Sequence, residues 1–351
     1  MLKPAEGPLL APARTPTVNQ GSYGSDEATG LVWGYEFARG QCARSIDGGH
    51  AAERLSGGGV GDSWLWLHFN LSSPRSERWL REHVALPNAF YELIAERPST
   101  RVEAVDDTLV ALIRDVPFFA SDARSDAWMT MCVNTHLMIS ARTQQLRSVD
   151  RLRAAVRRGD LFDSAAELLA HLLRDQADVL MEIAREATTH VDDVEDKLLD
   201  SSSSSGRGAL GMIRRRLVRV QRVLAPEPTA LFRLLNRPPK WLHDDDVAEL
   251  RRSAEELAAA VADSSGVVER VRILQDELAA KLDEATNRTL YILTVLTAIV
   301  APFEFISQLF GMGVGGVPFH DDPYGFWVVF VMILVTIGLG AVLVRMFLRR
   351  S

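Results

Sequence analysis

The stretch that decides the fold runs from Leu290 to Phe310 and reads LYILTVLTAIVAPFEFISQLF. As a helix it spans about 31 Å, which matches a bilayer core of roughly 30 Å. A second apolar stretch, Tyr324–Leu348, reads YGFWVVFVMILVTIGLGAVLVRMFL and begins with the aromatic residues that suit a membrane interface. The sequence therefore predicts two membrane-spanning helices, residues 290–310 and 324–348.

The short connection between these spans, residues 311–323, predicts their orientation. A link of this length makes a tight hairpin, so both flanks face the same side of the membrane. The link contains no Lys or Arg, whereas basic residues flank the spans: Lys281, Arg288, Arg345, Arg349 and Arg350. The positive-inside rule then predicts a multi-pass protein of the cell inner membrane, with both termini in the cytoplasm and the link outside.

One face of the first predicted span is polar. Spacings of 7, 3, 4, 3 and 4 place six residues on one side of a helix, and we call them the polar stripe: Asn287, Thr294, Thr297, Ala301, Glu304 and Gln308. A charged side chain in hydrocarbon costs at least about 2.5 kcal/mol, so Glu304 is expected to face a bundle interior or water. Because two helices cannot enclose water, we expect several copies to line a shared pore with this stripe. The alternative is a helix–helix interface in which the polar groups bond one another.

A heptad pattern precedes the first span, from residue 244 to residue 289. Its a and d positions are Val247, Leu250, Ala254, Leu257, Val261, Ser264, Val268, Val271, Gln275, Leu278, Leu282 and Ala285. A pattern sustained over more than three heptads predicts a long packing helix, and no turn signal separates it from the membrane. This stalk helix either associates with other copies or packs on helices of its own chain.

The rest of the chain predicts a cytosolic domain over residues 30–243. Strand-like runs occupy 31–37, 64–69, 108–114 and 128–139, and helical patterns occupy 74–83, 88–96, 164–199 and 210–224. The serine run 201–205 predicts a turn, and Pro226, Pro228, Pro238 and Pro239 predict a break before the stalk. Residues 1–29, rich in Pro, Gly and Ser, predict a flexible tail without a signal peptide. Together these patterns predict an α/β domain with a helical second half.

Composition excludes several classes of protein. The 351 residues carry a formal net charge of −7, which argues against a nucleic-acid binder. Cys42 and Cys132 form no CxxC pair, so neither a thiolate zinc site nor a redox motif is expected. The chain has no GxxxxGK[ST] loop for ATP-driven pumping and no catalytic constellation, so we expect neither an enzyme nor a bound cofactor.

The last 75 residues resemble the CorA-type divalent-cation transporters, in particular the ZntB-like zinc branch. The likeness lies in LQDELAAKLDEATNRTLYILTVLTAIVAPFEF at 274–305, GMGVGGVPF at 311–319 and DDPYGFW at 321–327, with RRRLVRVQRVLAPEP at 214–228 upstream. Gly311 and Met312 match the Gly-Met-Asn signature of the family, while Gly313 stands in place of its Asn. The following VGGVP is similar to the zinc branch rather than to the magnesium branch.

The resemblance implies a homopentameric funnel whose first span lines a pore for divalent metal, most simply Zn²⁺. In the family, the signature Asn helps to hold a hydrated cation at the outer mouth, so Gly313 puts the selectivity of that ring in question. Relatives carry a small hydroxyl residue where this chain has Glu304. Five copies of Glu304 would form an acidic ring, and such rings select cations. We hypothesise that Glu304 binds the passing cation or a coupled proton.

Other polar clusters have two interpretations each. On the outer link, His320, Asp321 and Asp322 concentrate cations or ligate zinc. The set His243, Asp244, Asp245 and Asp246 caps the stalk helix or binds metal. The set His190, Asp192, Asp193, Glu195 and Asp196 is a solvated face or a cation-attracting lining. The set Arg214, Arg215, Arg216, Arg219 and Arg222 is expected to form ion pairs rather than to bind nucleic acid.

The sequence thus predicts a zinc transporter working as a homopentamer in a lipid bilayer, with possible proton coupling. One alternative is a magnesium, cobalt or nickel channel. The other is a non-conducting membrane scaffold or sensor, which the altered signature at Gly313 motivates.

Overall fold

The computed structural model describes residues 26, 28–57, 63–96, 100–117, 127–200, 205–311 and 323–348. The chain divides into two compact units. Unit 1 comprises Met1–Val194 and Gly211–Val271, and unit 2 comprises Glu195–Leu210 and Arg272–Ser351.

Unit 1 holds a seven-stranded sheet. Its strands are β1 Leu31–Ala38, β2 Arg44–Ile46, β3 Ser63–Asn70, β4 Arg101–Val105, β5 Thr108–Arg114, β6 Trp128–Val133 and β7 Leu137–Arg142. The described helices are α1 Gly48–Ser56, α2 Pro74–His83, α3 Asn88–Glu96, α4 Arg147–Arg158, α5 Ala165–Asp200, α6 Ser205–Leu224, α7 Pro226–Leu235, α8 Asp244–Gly311 and α9 Gly325–Leu348.

The sheet is mixed, with strand order β2-β1-β3-β7-β6-β5-β4. β3 and β7 pair in parallel, and the other described neighbours pair antiparallel. Both faces of the sheet are covered, so the central strands read as continuous apolar runs rather than as an alternation. Leu65 and Leu67 face a cluster with α2 and α3, whereas Trp64 and Trp66 face a cluster with α4, α5, α7 and α8.

The predicted strand over 128–139 is wrong in one respect, because it is a hairpin of β6 and β7. The side-chain oxygen of Asn134 accepts a hydrogen bond from the His136 N–H (3.0 Å), and the Asn134 N–H donates to the Leu137 carbonyl (2.9 Å). Such a local side-chain bond stabilises a turn even where the flanking residues are strongly apolar. Hydrophobicity alone therefore merged two strands into one.

The predicted break at the prolines is also partly wrong. Pro226 and Pro228 lie in the first turn of α7 rather than in a loop. The first N–H groups of a helix have no intrahelical acceptor, so a proline there sacrifices no hydrogen bond. These two prolines start a helix instead of preventing one.

The heptad of the stalk is buried within the same chain. Leu250, Ala254 and Leu257 are at most 1% exposed and belong to the cluster that includes Leu168 and Leu172 of α5. In unit 1 this face therefore packs on the chain's own helices and is not open to another copy. Of the two alternatives for the heptad, the structure selects packing within the chain.

α8 is continuous from residue 244 to residue 311, as predicted for a stalk that runs into the first span. Pro302 lies inside the helix without ending it. In the part of the chain that the structure describes, α8 is the one helix long and apolar enough to cross a membrane. The apolar segment of α9, Gly325–Gly340, is shorter than the predicted second span.

Candidate ion-conducting site

The polar stripe of α8 is exposed along its whole length in the single chain: Asn287, Thr294, Thr297, Ala301, Glu304 and Gln308. No described residue of unit 2 covers these side chains. The prediction that these residues share one helix face is met by the continuous helix, since their spacing follows its 3.6-residue turn. Their role as a pore lining stays a prediction.

The opposite side of α8 is partly covered. Its half-buried residues, which we call the covered face, are Val295, Ile299, Pro302, Ile306 and Phe310. At about 100° per residue this face lies roughly 160° from the polar stripe. α9 likewise has one buried or half-buried side: Gly325, Val329, Ile333, Thr336, Ile337 and Gly340. The two helices thus cover apolar surface and leave the polar stripe free.

Gly340 marks a close approach of α9 to α8. A Cβ atom at Gly340 would lie 3.8 Å from the carbonyl oxygen of Ala298. That carbonyl lies four residues before Pro302, which has no N–H to offer it. α8 therefore presents a backbone oxygen without its helical donor where α9 presents a residue with no side chain. Small residues allow helix backbones to approach in membranes, and this pair is such a place.

The threonine hydroxyls of the polar stripe donate their protons to backbone carbonyls of the same helix. Thr294 Oγ1 donates to the Leu290 carbonyl (2.8 Å), and Thr297 Oγ1 donates to the Leu293 carbonyl (2.9 Å). A hydroxyl whose proton is committed to the helix offers only lone pairs outward. Both side chains are exposed, so the stripe presents acceptor oxygens about two and three helical turns before the Glu304 carboxylate, a chemistry that favours a cation or its hydration water.

Two carboxylates extend the stripe toward the N-terminus of α8, and the sequence analysis missed them. Both are exposed: Asp276 lies 7 residues before Asp283, and Asp283 lies 4 residues before Asn287. The same spacing rule would have found them. A polar residue stands out within the apolar span, but Asp276 and Asp283 lie before it, where most exposed residues are polar. With Glu304, this face of unit 2 carries three acidic side chains.

Gly311 is the last residue of α8 and is exposed. The other predicted residues of the outer link, Met312, Gly313, His320, Asp321 and Asp322, lie outside the described residues. Their predicted parts in selectivity, cation attraction and metal binding remain predictions.

The acidic start of α8 has the geometry of a helix N-terminus. The Asp246 carboxylate accepts hydrogen bonds from the His243 N–H (3.3 Å) and from Ser164 Oγ (2.8 Å). Asp244, Asp245 and Asp246 occupy the first turn, where negative charge complements the helix dipole. Within the described residues no group of three or more His, Cys, Asp and Glu side chains is arranged to hold a metal ion.

The acidic set at 190–196 and the arginine set at 214–222 contribute ion pairs within the chain. Asp192 pairs with Arg270 (2.7 Å) and Glu186 pairs with Arg216 (3.1 Å), and all four side chains are about half exposed. These pairs connect α5 to α8 and to α6. Exposed pairs of this kind each contribute about 0–1 kcal/mol, so they act mainly as a solvated surface.

Comparisons with known proteins bear on this arrangement. The family model described as CorA-like Mg2+ transporter protein matches residues 61–349. The zinc transport protein ZntB of Pectobacterium carotovorum is 27% identical over 276 residues, covering 78% of this chain and 84% of that protein. The divalent cation transporter CmaX of Pseudomonas aeruginosa is 27% identical over 320 residues, covering 89% and 94%.

Two solved structures share the fold. The full-length CmaX protein superposes with a TM-score of 0.73 at 24% identity, covering 92% of this chain and 98% of that one. The CorA magnesium transporter from Methanocaldococcus jannaschii gives a TM-score of 0.70 at 17% identity, covering 88% and 96%.

The matching family model covers most of the chain and describes transporters rather than enzymes. The chain belongs to the CorA-like Mg2+ transporter family, and it is a divalent-cation transporter of that family. This agrees with the resemblance drawn from the sequence.

Proposed function

We propose that divalent cations pass along the polar stripe of α8, with several copies of the chain, most simply five, placing their stripes around one axis. The observation that carries this proposal is the exposure of Glu304 and its neighbours on the side of α8 opposite the covered face. An exposed carboxylate in an apolar helix is costly against lipid, and a shared aqueous axis removes that cost. Glu304 is then the residue that binds the passing cation or a coupled proton.

The transported ion in this proposal is zinc, driven by its gradient and the membrane potential. The support is that curated relatives over more than three quarters of the chain are named zinc transport proteins. Moving a divalent cation inward through the potential gains about 4.6 kcal/mol per 100 mV, twice the value for a single charge. No nucleotide is needed for such transport.

We also propose the arrangement in the inner membrane that the charge pattern predicts. Residues 1–29 form a tail, 30–243 the cytosolic domain, 244–289 the stalk, 290–310 and 324–348 the spans, and 311–323 the outer link. The basic residues Lys281 and Arg288 before the first span support a cytoplasmic location of that flank. In this arrangement Gly311, Met312 and Gly313 surround the outer mouth, and the link residues 320–322 attract cations to it.

Magnesium is the second candidate cargo. The description of the matching family model and the shared fold with a CorA magnesium transporter favour it. Magnesium gives up its hydration waters reluctantly, so a ring without strong ligands suits it. Zinc, by contrast, binds imidazole and carboxylate directly. Competition between the two ions separates the candidates.

The test is metal uptake into proteoliposomes that contain the purified full chain. Zinc and magnesium are compared with and without an acidic exterior. Zinc flux that rises with external acidity supports proton-coupled zinc transport. Magnesium flux that is indifferent to pH, with no zinc flux, replaces the zinc proposal by the magnesium channel. Absence of flux for both ions, in protein shown to be folded and oligomeric, overturns the conduction proposal.

A further inference from the structure

Two carboxyl groups are buried where α7 begins and β5 ends, and neither belongs to the polar stripe. Glu227 is the second residue of α7 and is 0% exposed, while Asp115 directly follows β5 and is 2% exposed. Both lie in unit 1. A buried ionised carboxylate is costly unless charges or several hydrogen bonds compensate it, so the partners of each group decide its protonation state.

Asp115 has a set of partners that suits a carboxylate. Its oxygens accept hydrogen bonds from the Val116 N–H (2.6 Å), the Ser148 hydroxyl (2.8 Å) and the Ser148 N–H (3.1 Å). Burial raises the pKa of Asp115 to about 6, while these bonds and the charge of Arg142 act in the opposite direction. Asp115 is therefore ionised at neutral pH and protonated in mild acid.

Glu227 has far fewer partners. Its Oε1 accepts a hydrogen bond from the Arg114 N–H (2.5 Å), while its Oε2 has no partner within the described part of the chain. Burial, with a further contribution from the Asp115 charge, raises the pKa of Glu227 well above its usual range. The ionised form is thus strongly disfavoured at this position.

Gln176 of α5 provides a second buried acceptor near Glu227. Its Nε2 donates to the Arg114 carbonyl (2.9 Å), and its Oε1 is a second buried acceptor without a partner among the described residues. The Gln176 amide also lies within hydrogen-bonding reach of the Glu227 carboxyl, and as a donor it lowers the pKa of Glu227, an effect smaller than that of burial. One proton on Glu227 Oε2 would serve both acceptors, because a protonated carboxyl becomes a donor.

The charged groups around this junction come from three elements. Two charges at and just after the end of β5 act on Glu227: the charge of Asp115 raises its pKa, and the charge of Arg114 lowers it by a smaller amount. Arg142 of β7 acts on Asp115 and in turn pairs with Asp150 of α4 (3.3 Å). An ionised Asp115 therefore favours the neutral form of Glu227, so the two carboxyls retain one proton between them over a wide range of pH.

The start of α7 is thereby fastened to two elements by one side chain. Glu227 reaches the backbone of β5 and the side chain of α5, while Leu231 and Leu234 of α7 pack in the same apolar cluster as Leu250 of α8. We propose that Glu227 is a neutral acid whose proton clamps the start of α7 to β5 and α5, so that the hold on α7 weakens as pH rises. This clamp does not depend on which ion is transported or on the pore.

The first test detects the proton directly. Infrared spectra of the full chain, purified in a detergent without ester groups and free of metal, are recorded at about pH 8, where Asp115 is ionised. We expect the carbonyl stretch of a protonated carboxylic acid in the wild type and its absence in Glu227→Gln, which keeps the shape of the side chain. Glu92→Gln, at an exposed glutamate of α3, should retain the band.

The second test follows stability against pH. Folded Glu227 retains a proton that the unfolded chain releases above about pH 4.5, so wild-type stability falls as pH rises toward the raised pKa. Glu227→Gln removes that dependence, and its Tm should exceed that of the wild type by roughly 4 °C or more at pH 8 and by nothing below pH 4.5. Glu92→Gln should follow the wild-type profile.

Two results would overturn the clamp: a wild type without the acid band at pH 8, or a Glu227→Gln profile parallel to that of the wild type. If Glu227→Gln does not fold, Gln176→Leu provides the same information. It removes the acceptor of the proton, so the acid band should remain but move to higher frequency. A band that does not move would place the proton elsewhere.

Discussion

Glu304 and the two threonines before it give the polar stripe its chemistry at the scale of single residues. The hydroxyl protons of Thr294 and Thr297 are bonded to the helix backbone, so both side chains present oxygen lone pairs on the same helix face as the carboxylate. A surface made of acceptors stabilises a cation and repels an anion. In the proposed pore, charge rather than size is the property required of position 304.

Replacing that charge should slow transport. We expect Glu304→Gln to lower metal flux into proteoliposomes by roughly tenfold or more, which corresponds to about 1.4 kcal/mol or more in the barrier. Glu304→Asp should retain part of the flux because the charge remains. Ser307→Ala, one turn further but off the stripe, is the control and should transport like the wild type. Equal flux in Glu304→Gln and the wild type contradicts a conducting role.

Ser148 illustrates how one hydroxyl supports a buried charge. It is 0% exposed and donates to Asp115, so Ser148→Ala should destabilise unit 1 by about 1–3 kcal/mol. The hydroxyl favours the ionised form, so the loss should be largest above the pKa of about 6 and smaller near pH 5, where folded Asp115 is protonated. Thermal unfolding at pH 5 and pH 8 measures it. Ser45→Ala on the exposed edge strand is the control, and a loss independent of pH would refute this reading.

At the scale of elements, α8 and α9 show how a proline can be accommodated in a long apolar helix. Pro302 leaves the Ala298 carbonyl without its helical donor, and the backbone of α9 comes close at Gly340. Gly340 belongs to the half-buried side of α9. The approach depends on a small residue at position 340, because a Cβ atom there would already touch the Ala298 oxygen.

A large side chain at this place should separate the two helices. Gly340→Leu is expected to lower the thermal stability of the full chain and its metal flux, whereas Gly340→Ala should be tolerated because its Cβ meets the Ala298 oxygen at an ordinary 3.8 Å. Gly338→Leu is the matched control, since a Cβ there meets nothing within 4 Å. Equal effects of leucine at positions 338 and 340 would show that general helix disruption, and not this contact, is responsible.

The two sides of α8 differ in what they contact. Leu250, Ala254 and Leu257 are buried against the chain's own α5 cluster, so this segment is fixed within unit 1. After residue 272 the exposed side of the helix carries Asp276 and Asp283 before the stripe begins. The apolar side fastens the helix, and the acidic side remains available.

At the scale of the whole molecule, the proposed assembly requires the polar stripes of different copies to face one another. Unit 2 of a single chain leaves many large apolar side chains exposed, including Phe303, Phe305, Phe326 and Trp327. Such a surface is expected to contact lipid or further copies, because a large apolar surface left in water would promote aggregation. An assembly in a bilayer satisfies the apolar and the polar side chains together.

Cysteine cross-linking tests this orientation. In a Cys42→Ser background, Thr297→Cys on the stripe should form disulfide-linked dimers under oxidation, whereas Ile299→Cys on the covered face should not. Cys132 is buried and its pKa is raised to about 12, so it stays unreactive. Native mass measurement of the detergent-purified protein should give five copies. Cross-links at 299 without cross-links at 297 would reverse the proposed orientation.

The sequence by itself determined the parts whose pattern is local. The apolar span 290–310 and the stripe follow from spacing along one helix. Strand β5 and helices α2 and α3 were predicted with the bounds that the structure has. Where a local bond or a helix end changes the outcome, as at Asn134 and Pro226, hydrophobicity and residue type misled the prediction. Helix α4 and strand β4 were not predicted, α4 although Val149, Leu152 and Val156 follow a helical spacing.

Only the tertiary structure decided which surfaces meet. The heptad was consistent with packing inside the chain or between chains, and the contact with α5 selects the former in unit 1. The junction of Arg114 with Glu227 joins residues 113 positions apart, and no spacing rule reaches that far. A glutamate at the start of a helix is common, because it complements the dipole. Burial beside Asp115 and Gln176 is what makes Glu227 unusual, and burial is a property of the folded chain, not of its sequence pattern.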